Sequence, residues 1–319
     1  MDLVSVIVPT YKRDSSLVRA LESLENQTYK NIEVVVVNDC VEETWKEYVE
    51  NTIQKFIDNG ILKIVFIQNQ VNLGSAKTRN VGIENASGKY ITFLDDDDVY
   101  LPGDAVERLF HEMSGNGGDV ISPDVFHNAD RPRKTEILMT LSGRIYARKR
   151  DSKWGYKVML NGGYSYNKHP RLVMQSQTNA GPCLLCRKSD FLGIAFEDES
   201  WLDEMPYALG EDQVLFYKMH QAGLKVLTSF DSGIVHLDAG TSIVNEEKER
   251  VLAYCDCRFK MIFWRKFILR KTSGISRVWA ILFMGYTITV NLLISLLKLR
   301  FDLFKQKFSG YKSGILFKL

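Results

Sequence analysis

Short apolar runs alternate with longer amphipathic segments through the first hundred residues of the chain. The apolar runs are rich in β-branched or aromatic residues, which predicts strands at 3–8, 32–37, 62–67 and 90–94. The segments between them repeat apolar residues every three or four positions, which predicts helices at 15–26, 44–59 and 76–86. This alternation predicts an α/β fold in which a mainly parallel sheet is flanked by helices.

Polar residues follow three of the predicted strands at the point where each strand ends. They are Pro9 to Tyr11, Asp39 and the four consecutive carboxylates 95–98. Ligands of parallel α/β sheets bind beyond the carboxyl ends of the strands. We therefore expect these residues, which are far apart in the sequence, to converge on one crevice.

The four consecutive carboxylates repel one another unless a cation lies among them. Carboxylate oxygens suit Mg²⁺ or Mn²⁺, which commonly share a diphosphate with the protein. A solvated acidic loop, or a helix N-cap before Leu101 and Pro102, is the alternative interpretation. The position directly after a buried strand favours the metal site.

Two common nucleotide-binding motifs are absent from the sequence. No Gly-x-Gly-x-x-Gly follows the first strand, and there is no Gly-Lys-Ser/Thr loop. These absences disfavour a dinucleotide-dependent oxidoreductase and a P-loop ATPase.

The composition is that of a folded globular protein, with 45% hydrophobic and 25% charged residues, which excludes a disordered chain. The formal net charge of +2 hides a strong asymmetry. Residues 258–319 hold thirteen Lys and Arg against the single acidic residue Asp302, a net charge of +12, whereas residues 1–257 carry −10. Such asymmetry indicates a membrane or nucleic-acid surface, and the interleaved aromatic and aliphatic residues favour an anionic membrane and no nucleic acid.

Residues 278–297 form the most apolar stretch of the chain and contain no charge. As a helix this stretch would be about 30 Å long, close to the thickness of a bilayer core. Basic residues lie on both sides of it, which favours a helix that lies on or dips into an anionic leaflet. A membrane-spanning helix and a buried helix of a soluble domain remain the alternatives.

The chain has five cysteines, and no signal peptide precedes the first strand, so we expect a reducing, cytosolic compartment. Cys183 and Cys186 have the spacing of a zinc-ligand pair. They lie in a short apolar run that predicts a strand, where residues three apart point to opposite faces. We therefore expect these two cysteines to pack in the core.

Five segments resemble, in the right order, the motifs of glycosyltransferase family 2, whose members have the GT-A fold. They are 4–13 (VSVIVPTYKR), 37–39 (VND), 72–82 (NLGSAKTRNVG), 93–98 (FLDDDD) with Pro102, and 210–212 (GED). The resemblance extends over roughly residues 3–240 and implies a GT-A-like fold. The chain departs from the family at Lys12, where Asn is common, and at Cys40, where Gly or Ser is usual.

The resemblance implies a nucleotide-sugar pocket lined by Pro9, Thr10, Tyr11, Asp39, Arg79, Asp95 and Asp96. Within it, Asp39 would accept a hydrogen bond from the uracil imide, and Arg79 would lie near the diphosphate as a planar cationic donor. Asp95 would contact the ribose or the donor sugar.

The resemblance also implies a metal site and a catalytic pair. Asp97 would bind Mn²⁺ or Mg²⁺, supported by Asp98 and completed by His236. Asp212 would be the general base, and Glu211 precedes it on the acceptor side. A structural histidine and an acidic helix N-terminus are the respective alternatives.

The implied activity is that of an inverting, metal-dependent hexosyl- or N-acetylhexosaminyltransferase. It would move a sugar from a UDP-sugar to a hydroxyl of a glycan or lipid-linked glycan in surface polysaccharide biosynthesis. We expect it at the cytoplasmic face of the cell membrane, peripheral or monotopic, as a monomer or a homo-oligomer. A metal-dependent nucleotidyltransferase, which would not need Glu211 and Asp212, and a non-catalytic membrane-bound sugar-binding module are the alternatives.

We predict a glycosyltransferase domain at residues 1–257 and a basic, hydrophobic, helical membrane-associating tail at 258–319. The first domain would divide into a nucleotide-sugar half at 1–124 and an acceptor half at 125–257. Residues 125–180 are less regular and rich in Gly, aromatic and polar residues. This composition favours loops that recognise the acceptor sugar, with a structural insertion as the alternative.

Overall fold

The computed structural model describes residues 1–13, 15–124, 132–148, 153–179, 181, 183–194, 196–207, 209–231, 233–237 and 245–319. The strands are β1 (Val4–Thr10), β2 (Ile32–Asn38), β3 (Lys63–Gln68), β4 (Tyr90–Phe93), β5 (Asp98–Tyr100), β6 (Val120–Pro123), β7 (Ile145–Arg148), β8 (Tyr156–Val158), β9 (Tyr164–Asn167), β10 (Val173–Gln175), β11 (Leu185–Arg187), β12 (Val226–Ser229) and β13 (Ile234–His236). The helices are α1 (Ser15–Glu25), α2 (Glu43–Asn59), α3 (Ser75–Asn85), α4 (Ala105–Gly115), α5 (Arg133–Leu141), α6 (Lys188–Leu192), α7 (Glu211–Gln221), α8 (Glu246–Phe263), α9 (Gly274–Leu297) and α10 (Phe301–Leu316). The four strands and three helices predicted for the first hundred residues are all present, with ends within two residues of the prediction.

Eight strands form one sheet in the order β10-β12-β6-β11-β4-β1-β2-β3. Strands β3, β2, β1 and β4 are parallel neighbours, and β12 is parallel to β6. Strand β11 is antiparallel to both β4 and β6, and β10 is antiparallel to β12. The predicted mainly parallel α/β sheet is therefore confirmed, with β11 inserted between its two parallel parts.

Both faces of the sheet are buried, as expected for parallel strands with uninterrupted apolar sequences. Side chains alternate along β2, so that Val36 packs in the hydrophobic cluster on one face and Val37 in the cluster on the other. Cys183 belongs to the first of these clusters and Cys186 to the second. Their predicted packing in the core is confirmed, on opposite faces of the sheet, although only Cys186 lies within strand β11.

Helix α8 connects the sheet to the C-terminal helices. Its second half carries Phe259, Ile262 and Phe263, which are buried in the same cluster as the side chains of β1 and β4. A π-helical turn at Trp264–Ile268 and a 3₁₀ turn at Leu269–Lys271 continue it. The division predicted after residue 257 therefore falls inside one helix, and as a functional division it stays a prediction.

Helix α10 packs against α8 through two glycines that lie four positions apart. A Cβ atom on Gly310 would lie 2.4 Å from the carbonyl oxygen of Tyr254, and one on Gly314 would lie 2.6 Å from Cβ of Met261. Only residues without a side chain allow the two backbones to approach so closely. The C-terminal helices are thus docked on the sheet domain through α8.

Helix α9 is long and apolar enough to cross a membrane, and most of its apolar stretch is not buried against the rest of the protein. A helix on the surface of a soluble protein faces the protein with its apolar side, whereas α9 exposes its apolar side. The side chains that face the protein are mostly small or polar, namely Ala280, Met284, Thr287, Asn291 and Ser295. The large apolar side chains, such as Trp279 and Leu282, are exposed.

Candidate active site

A cavity of about 450 Å³ lies beyond the carboxyl ends of β1, β2 and β4. Its lining contains all seven residues predicted for the nucleotide-sugar pocket and two of the three predicted for the metal. The lining residues are Pro9, Thr10, Tyr11, Arg13, Asp39, Asn72, Gly74, Ser75, Thr78, Arg79, Asp95, Asp96, Asp97 and His236. The structure therefore brings the strand-end residues together, as the parallel topology required.

Asp39 follows β2 and is almost completely buried. Its carboxylate accepts hydrogen bonds from the backbone N–H of Leu73 at 2.8 Å, the backbone N–H of Gly74 at 2.9 Å and the side-chain amide of Asn69 at 2.8 Å. These contacts fix the loop before α3, where Gly74 has a φ of 81°. A carboxylate has about four acceptor positions, so about one remains for a ligand in the cavity.

Arg79 lies on α3 and is buried between two acidic groups. Its Nη2 donates to Asp95 at 2.6 Å, and its Nη1 donates to Glu211 at 2.5 Å and to Ser75 Oγ at 2.8 Å. Burial by itself would lower the pKa of Arg79, but Glu211 and Asp95 raise it above its ordinary value. The guanidinium thus ties the loop after β4 to the start of α7.

Arg13 contacts the acidic cluster, a role that sequence analysis did not assign. Its Nη2 donates to Asp97 Oδ2 at 2.8 Å, and its Nε lies 3.3 Å from Asp96 Oδ1. Burial raises the pKa of Asp96 to about 7. The signal for this contact was a basic residue just past the end of β1, at the edge where the carboxylates gather.

Asp97, Asp98 and His236 each offer one ligand atom, and these atoms lie within 4.8 Å of one another. The pairing of β13 with β5 sets His236 opposite Asp98, so that Nδ1 lies 2.7 Å from Asp98 Oδ1 and 3.5 Å from Asp97 Oδ1. Burial raises the pKa of Asp98 to about 7, whereas the hydrogen bond from His236 opposes this shift. The two carboxylates suit Mn²⁺ or Mg²⁺, and Mn²⁺, as a borderline ion, also accepts the imidazole.

Glu211 and Asp212 form the first turn of α7, which follows Gly210. A side chain at Gly210 would collide with the ring of Phe259, and its φ of 79° also favours glycine. Asp212 Oδ2 accepts a hydrogen bond from the backbone N–H of Gly181 at 3.0 Å. Burial, together with the neighbouring Glu211, raises the pKa of Asp212 to about 7.

The described residues of the predicted acceptor region contact the helices rather than the cavity. Asn161 Nδ2 donates to Thr287 Oγ1 of α9 at 2.8 Å, and Gln213 of α7 donates to the carbonyl oxygen of Gly162 at 2.7 Å. Among residues 132–148 and 153–179, which are described, none lines the cavity. Residues 125–131, 149–152 and 180 lie outside the described residues, so acceptor recognition stays a prediction.

Comparison with known proteins begins with the sequence. Residues 5–168, just over half of the chain, match the family described as Glycosyl transferase family 2. The chain is 39% identical over 103 residues to the GalNAc(5)-diNAcBac-PP-undecaprenol beta-1,3-glucosyltransferase of Campylobacter jejuni, a match that covers 32% of each protein. It is 36% identical over 102 residues to the UDP-Glc:alpha-D-GlcNAc-diphosphoundecaprenol beta-1,3-glucosyltransferase WfaP of Escherichia coli, covering 32% of this chain and 38% of that protein.

The curated relatives are matched over only part of their length, and the chain spans 16% to 44% of four of them. Among solved structures, it resembles the mannosyltransferase PcManGT from Pyrobaculum calidifontis in complex with GDP-Man and Mn²⁺. The TM-score is 0.57 at 14% identity, covering 99% of this chain and 87% of that one. This likeness concerns the fold alone, and the expected GT-A-like fold is confirmed. By the extent of the family match, the chain belongs to glycosyltransferase family 2.

Proposed function

We propose that the chain is an inverting glycosyltransferase that moves a sugar from a UDP-sugar to a hydroxyl group of a lipid-linked glycan. The observation that carries this proposal is that Arg79, which lines the crevice, contacts both Asp95 of the crevice wall and Glu211 at the start of α7. Arg79 joins the acidic cluster, which with a divalent cation would suit a nucleotide diphosphate, to the carboxylate pair, which is suited to deprotonating an acceptor.

Asp212 would remove the proton from the acceptor hydroxyl as that oxygen attacks the anomeric carbon. Its pKa of about 7 matches the requirement for a base that works near neutral pH. The N–H of Gly181 orients one carboxylate oxygen. Arg79, which lines the crevice, holds Glu211 at the head of the same helix, and this contact would keep the base next to the crevice.

Asp97, Asp98 and His236 would hold Mn²⁺ or Mg²⁺, which when bound supplies positive charge to the leaving diphosphate. Pro9, Thr10 and Tyr11 would form the wall of the nucleotide pocket. Tyr11 also donates its backbone N–H to Asp96 at 3.3 Å, which links this wall to the acidic cluster.

Two observations support uridine as the base of the donor. The remaining acceptor position of Asp39 suits the single imide N–H of uracil. The name of the Escherichia coli relative specifies UDP-Glc. Because the Pyrobaculum structure contains GDP-Man, a guanosine donor is included in the test below.

The acceptor that we infer is attached to a lipid diphosphate, as in surface polysaccharide precursors. Both relatives described above are named for undecaprenol-linked diphosphate acceptors. The exposed apolar face of α9 supports this inference, because it would hold the chain against the cytoplasmic leaflet where such acceptors are embedded.

A donor screen tests the activity. The full chain is incubated with Mn²⁺ or Mg²⁺, a polyprenyl-diphosphate-linked sugar and, in turn, several UDP-sugars and GDP-Man. We expect release of UDP and a product that is one sugar larger, with inverted anomeric configuration. Release of inorganic diphosphate, with the nucleotide retained in the product, would instead assign nucleotidyl transfer. Sugar binding without turnover of any donor would assign a binding module.

The base assignment is tested by Asp212→Asn. Loss of a general base lowers kcat by about 100- to 10,000-fold, while UDP binding stays as in the wild type. Asp231→Asn removes an exposed carboxylate away from the crevice and serves as the control. Wild-type turnover by Asp212→Asn would contradict the assignment.

A further inference from the structure

A second cavity, of about 440 Å³, lies where α8, α9 and α10 meet, apart from the candidate active site. Part of its wall is apolar and is contributed by all three helices. The charged part contains four cations and two carboxylates: Arg144, Lys298, Arg300, Lys307, Glu249 and Asp256. The cavity is therefore both amphipathic and rich in positive charge.

Both carboxylates of this cavity already have cationic partners. Asp256 is paired with Arg144 and also accepts a hydrogen bond from Lys260 at 2.9 Å. Arg300 Nη2 lies 2.9 Å from Glu249 Oε2. Among the described residues, these ion pairs involve both carboxylates of the wall, and neither pair includes Lys298 or Lys307.

Lys298 and Lys307 are those two remaining cations. Within the part of the chain that the structure describes, neither ammonium group has a carboxylate oxygen within 4 Å. Lys307 Nζ instead donates to Ser295 Oγ at 2.9 Å. Burial lowers the pKa of Lys307, because removing an ammonium group from water costs free energy. An anion in the cavity would remove that cost.

Two of the cavity's cations, Lys298 and Arg300, lie just past the C-terminal end of α9, the helix whose apolar face is exposed. Lys298 and Arg300 flank Leu299, which has a φ of 54° and is 77% exposed. A positive φ is strained for a bulky residue. This turn places an apolar side chain outward and two basic ones beside the cavity, the arrangement expected at the level of lipid head groups.

The cavity is also close to the proposed catalytic base. Leu209 contributes to its wall and precedes Asp212 by three residues. Three residues span at most about 11 Å, so the two Cα atoms are no farther apart than that. The wall of this cavity therefore comes within about 11 Å of the proposed base, measured between Cα atoms.

We propose that this cavity binds the phosphate of the lipid that carries the acceptor sugar, with Lys298 and Lys307 donating hydrogen bonds to the phosphate oxygens. The proposal rests on the proposed function, since a lipid-linked acceptor is what would present a phosphate next to the base. The ammonium groups would compensate the phosphate charge, and the lipid chain would continue along the exposed face of α9.

Vesicle binding tests the proposal with the full chain and without divalent cations. Neutral phosphatidylcholine vesicles carry either a polyprenyl diphosphate or an equal charge of phosphatidylglycerol. We expect Lys298→Gln combined with Lys307→Gln to weaken binding to the polyprenyl diphosphate vesicles by about 30-fold, because two charge-assisted contacts are lost. Glutamine retains a donor toward Ser295, and the thermal midpoint confirms that the variant is folded.

The matched control is Lys305→Gln combined with Lys312→Gln, which removes the same charge from exposed positions of α10. This control should bind polyprenyl diphosphate vesicles within about threefold of the wild type, and both variants should lose phosphatidylglycerol binding equally. Equal losses on polyprenyl diphosphate would overturn the proposal, because net charge alone would then explain binding.

A soluble phosphate is the other source of the same chemistry. The assignment to a lipid would be overturned if inorganic diphosphate bound the wild type as tightly as the lipid does and bound the cavity variant, Lys298→Gln with Lys307→Gln, more weakly. The cavity variant could lose binding to the polyprenyl diphosphate vesicles while no UDP-sugar is turned over in the transfer assay. That result would support the phosphate site in the cavity and refute the proposed activity.

Discussion

Arg79 is the side chain on which the geometry of the crevice depends most. It is buried and contacts Asp95 and Glu211 through separate nitrogens of one planar group, which a lysine could not do. Removing one partner from a buried charge network costs about 3–5 kcal/mol, because the other charges stay buried without compensation. The family resemblance placed Arg79 near the diphosphate, but Glu211 lies 132 positions away and its contact required the fold.

The pH dependence of transfer should report on Asp212. The charged groups that face it are Glu211, Arg79 and Asp95, and its pKa is raised to about 7 by burial and by Glu211. A base must be ionised to act, so kcat/KM should fall about tenfold for each pH unit below about 7 and level off above it. Initial rates between pH 5 and 9 would measure this profile.

The control for this profile is the residual activity of Asp212→Asn. Because the amide does not titrate, the fall on the acidic side should be absent from the variant. An acidic limb that persists unchanged in Asp212→Asn would assign the titration to another group and contradict the role of Asp212.

Arg13 should compete with a divalent cation for the acidic cluster. Its guanidinium contacts Asp97 at 2.8 Å and Asp96 at 3.3 Å, so it already neutralises part of the charge that a metal would meet. Arg13→Gln removes a positive charge beside the proposed ligands. We expect Mn²⁺ to bind about fivefold more tightly or better, as followed by electron paramagnetic resonance titration.

Lys12→Gln provides the matched control for Arg13. Lys12 is the neighbouring cation, but it pairs with Glu42 rather than with the cluster. Its substitution should leave the affinity for Mn²⁺ unchanged. Equal affinities in the wild type and Arg13→Gln would show that Arg13 does not occupy the position where the metal binds.

At the scale of helices and strands, the hydrophobic periodicity of the sequence predicted those elements that are determined by local sequence. Apolar runs and helical spacing located β1 to β4 and α1 to α3, and the parallel topology then predicted that Asp39 and Asp95 would share a crevice. The π-helical turn at Trp264–Ile268 was not predictable, because Trp264 and Phe267 are buried against distant residues. Tertiary packing, rather than local propensity, determines that segment.

The contact between α8 and α10 should be intolerant of added atoms. A Cβ at Gly310 would lie 2.4 Å from a backbone oxygen, which cannot move aside as a flexible side chain can. We expect Gly310→Ala to lower the free energy of unfolding by about 1–3 kcal/mol, measured by urea denaturation.

Gly285→Ala on α9 is the control for that substitution. A Cβ at this position meets nothing within 4 Å. Alanine is the better helix former, so stability should rise by as much as about 1 kcal/mol. If Gly310→Ala behaved like this control, α10 would not be docked on α8 as the structure has it.

At the scale of the whole molecule, the basic segment 258–319 is packed against the acidic sheet domain and does not extend from it as a separate tail. The sequence located the basic and apolar residues, but it did not reveal that Phe259 and Phe263 belong to the core of the sheet domain. The hydropathy of the α9 sequence also did not show which side of the helix faces the protein. The small and polar side chains on one side of α9 are explained by their contacts with Asn161 and Tyr311.

Deleting residues 258–319 would therefore remove core side chains and would not be a clean test of membrane binding. Substituting the exposed face of α9 is cleaner. Trp279 and Leu282 are 58% and 57% exposed and lie one turn apart. Changing both to Gln should leave the thermal midpoint in place and weaken binding to anionic vesicles by more than about 100-fold, since each large apolar side chain contributes about 1.5–3 kcal/mol on burial.

The control for this change replaces two equally exposed apolar residues elsewhere on the surface, Ile61 and Leu192, by Gln. Vesicle binding of this control should equal that of the wild type, because neither residue belongs to the C-terminal helices. If the α9 variant sedimented with vesicles as well as the control did, basic charge alone would hold the chain on the membrane. The reversed polarity of α9 would then need another partner, and the path proposed for the lipid along its exposed face would be lost with it.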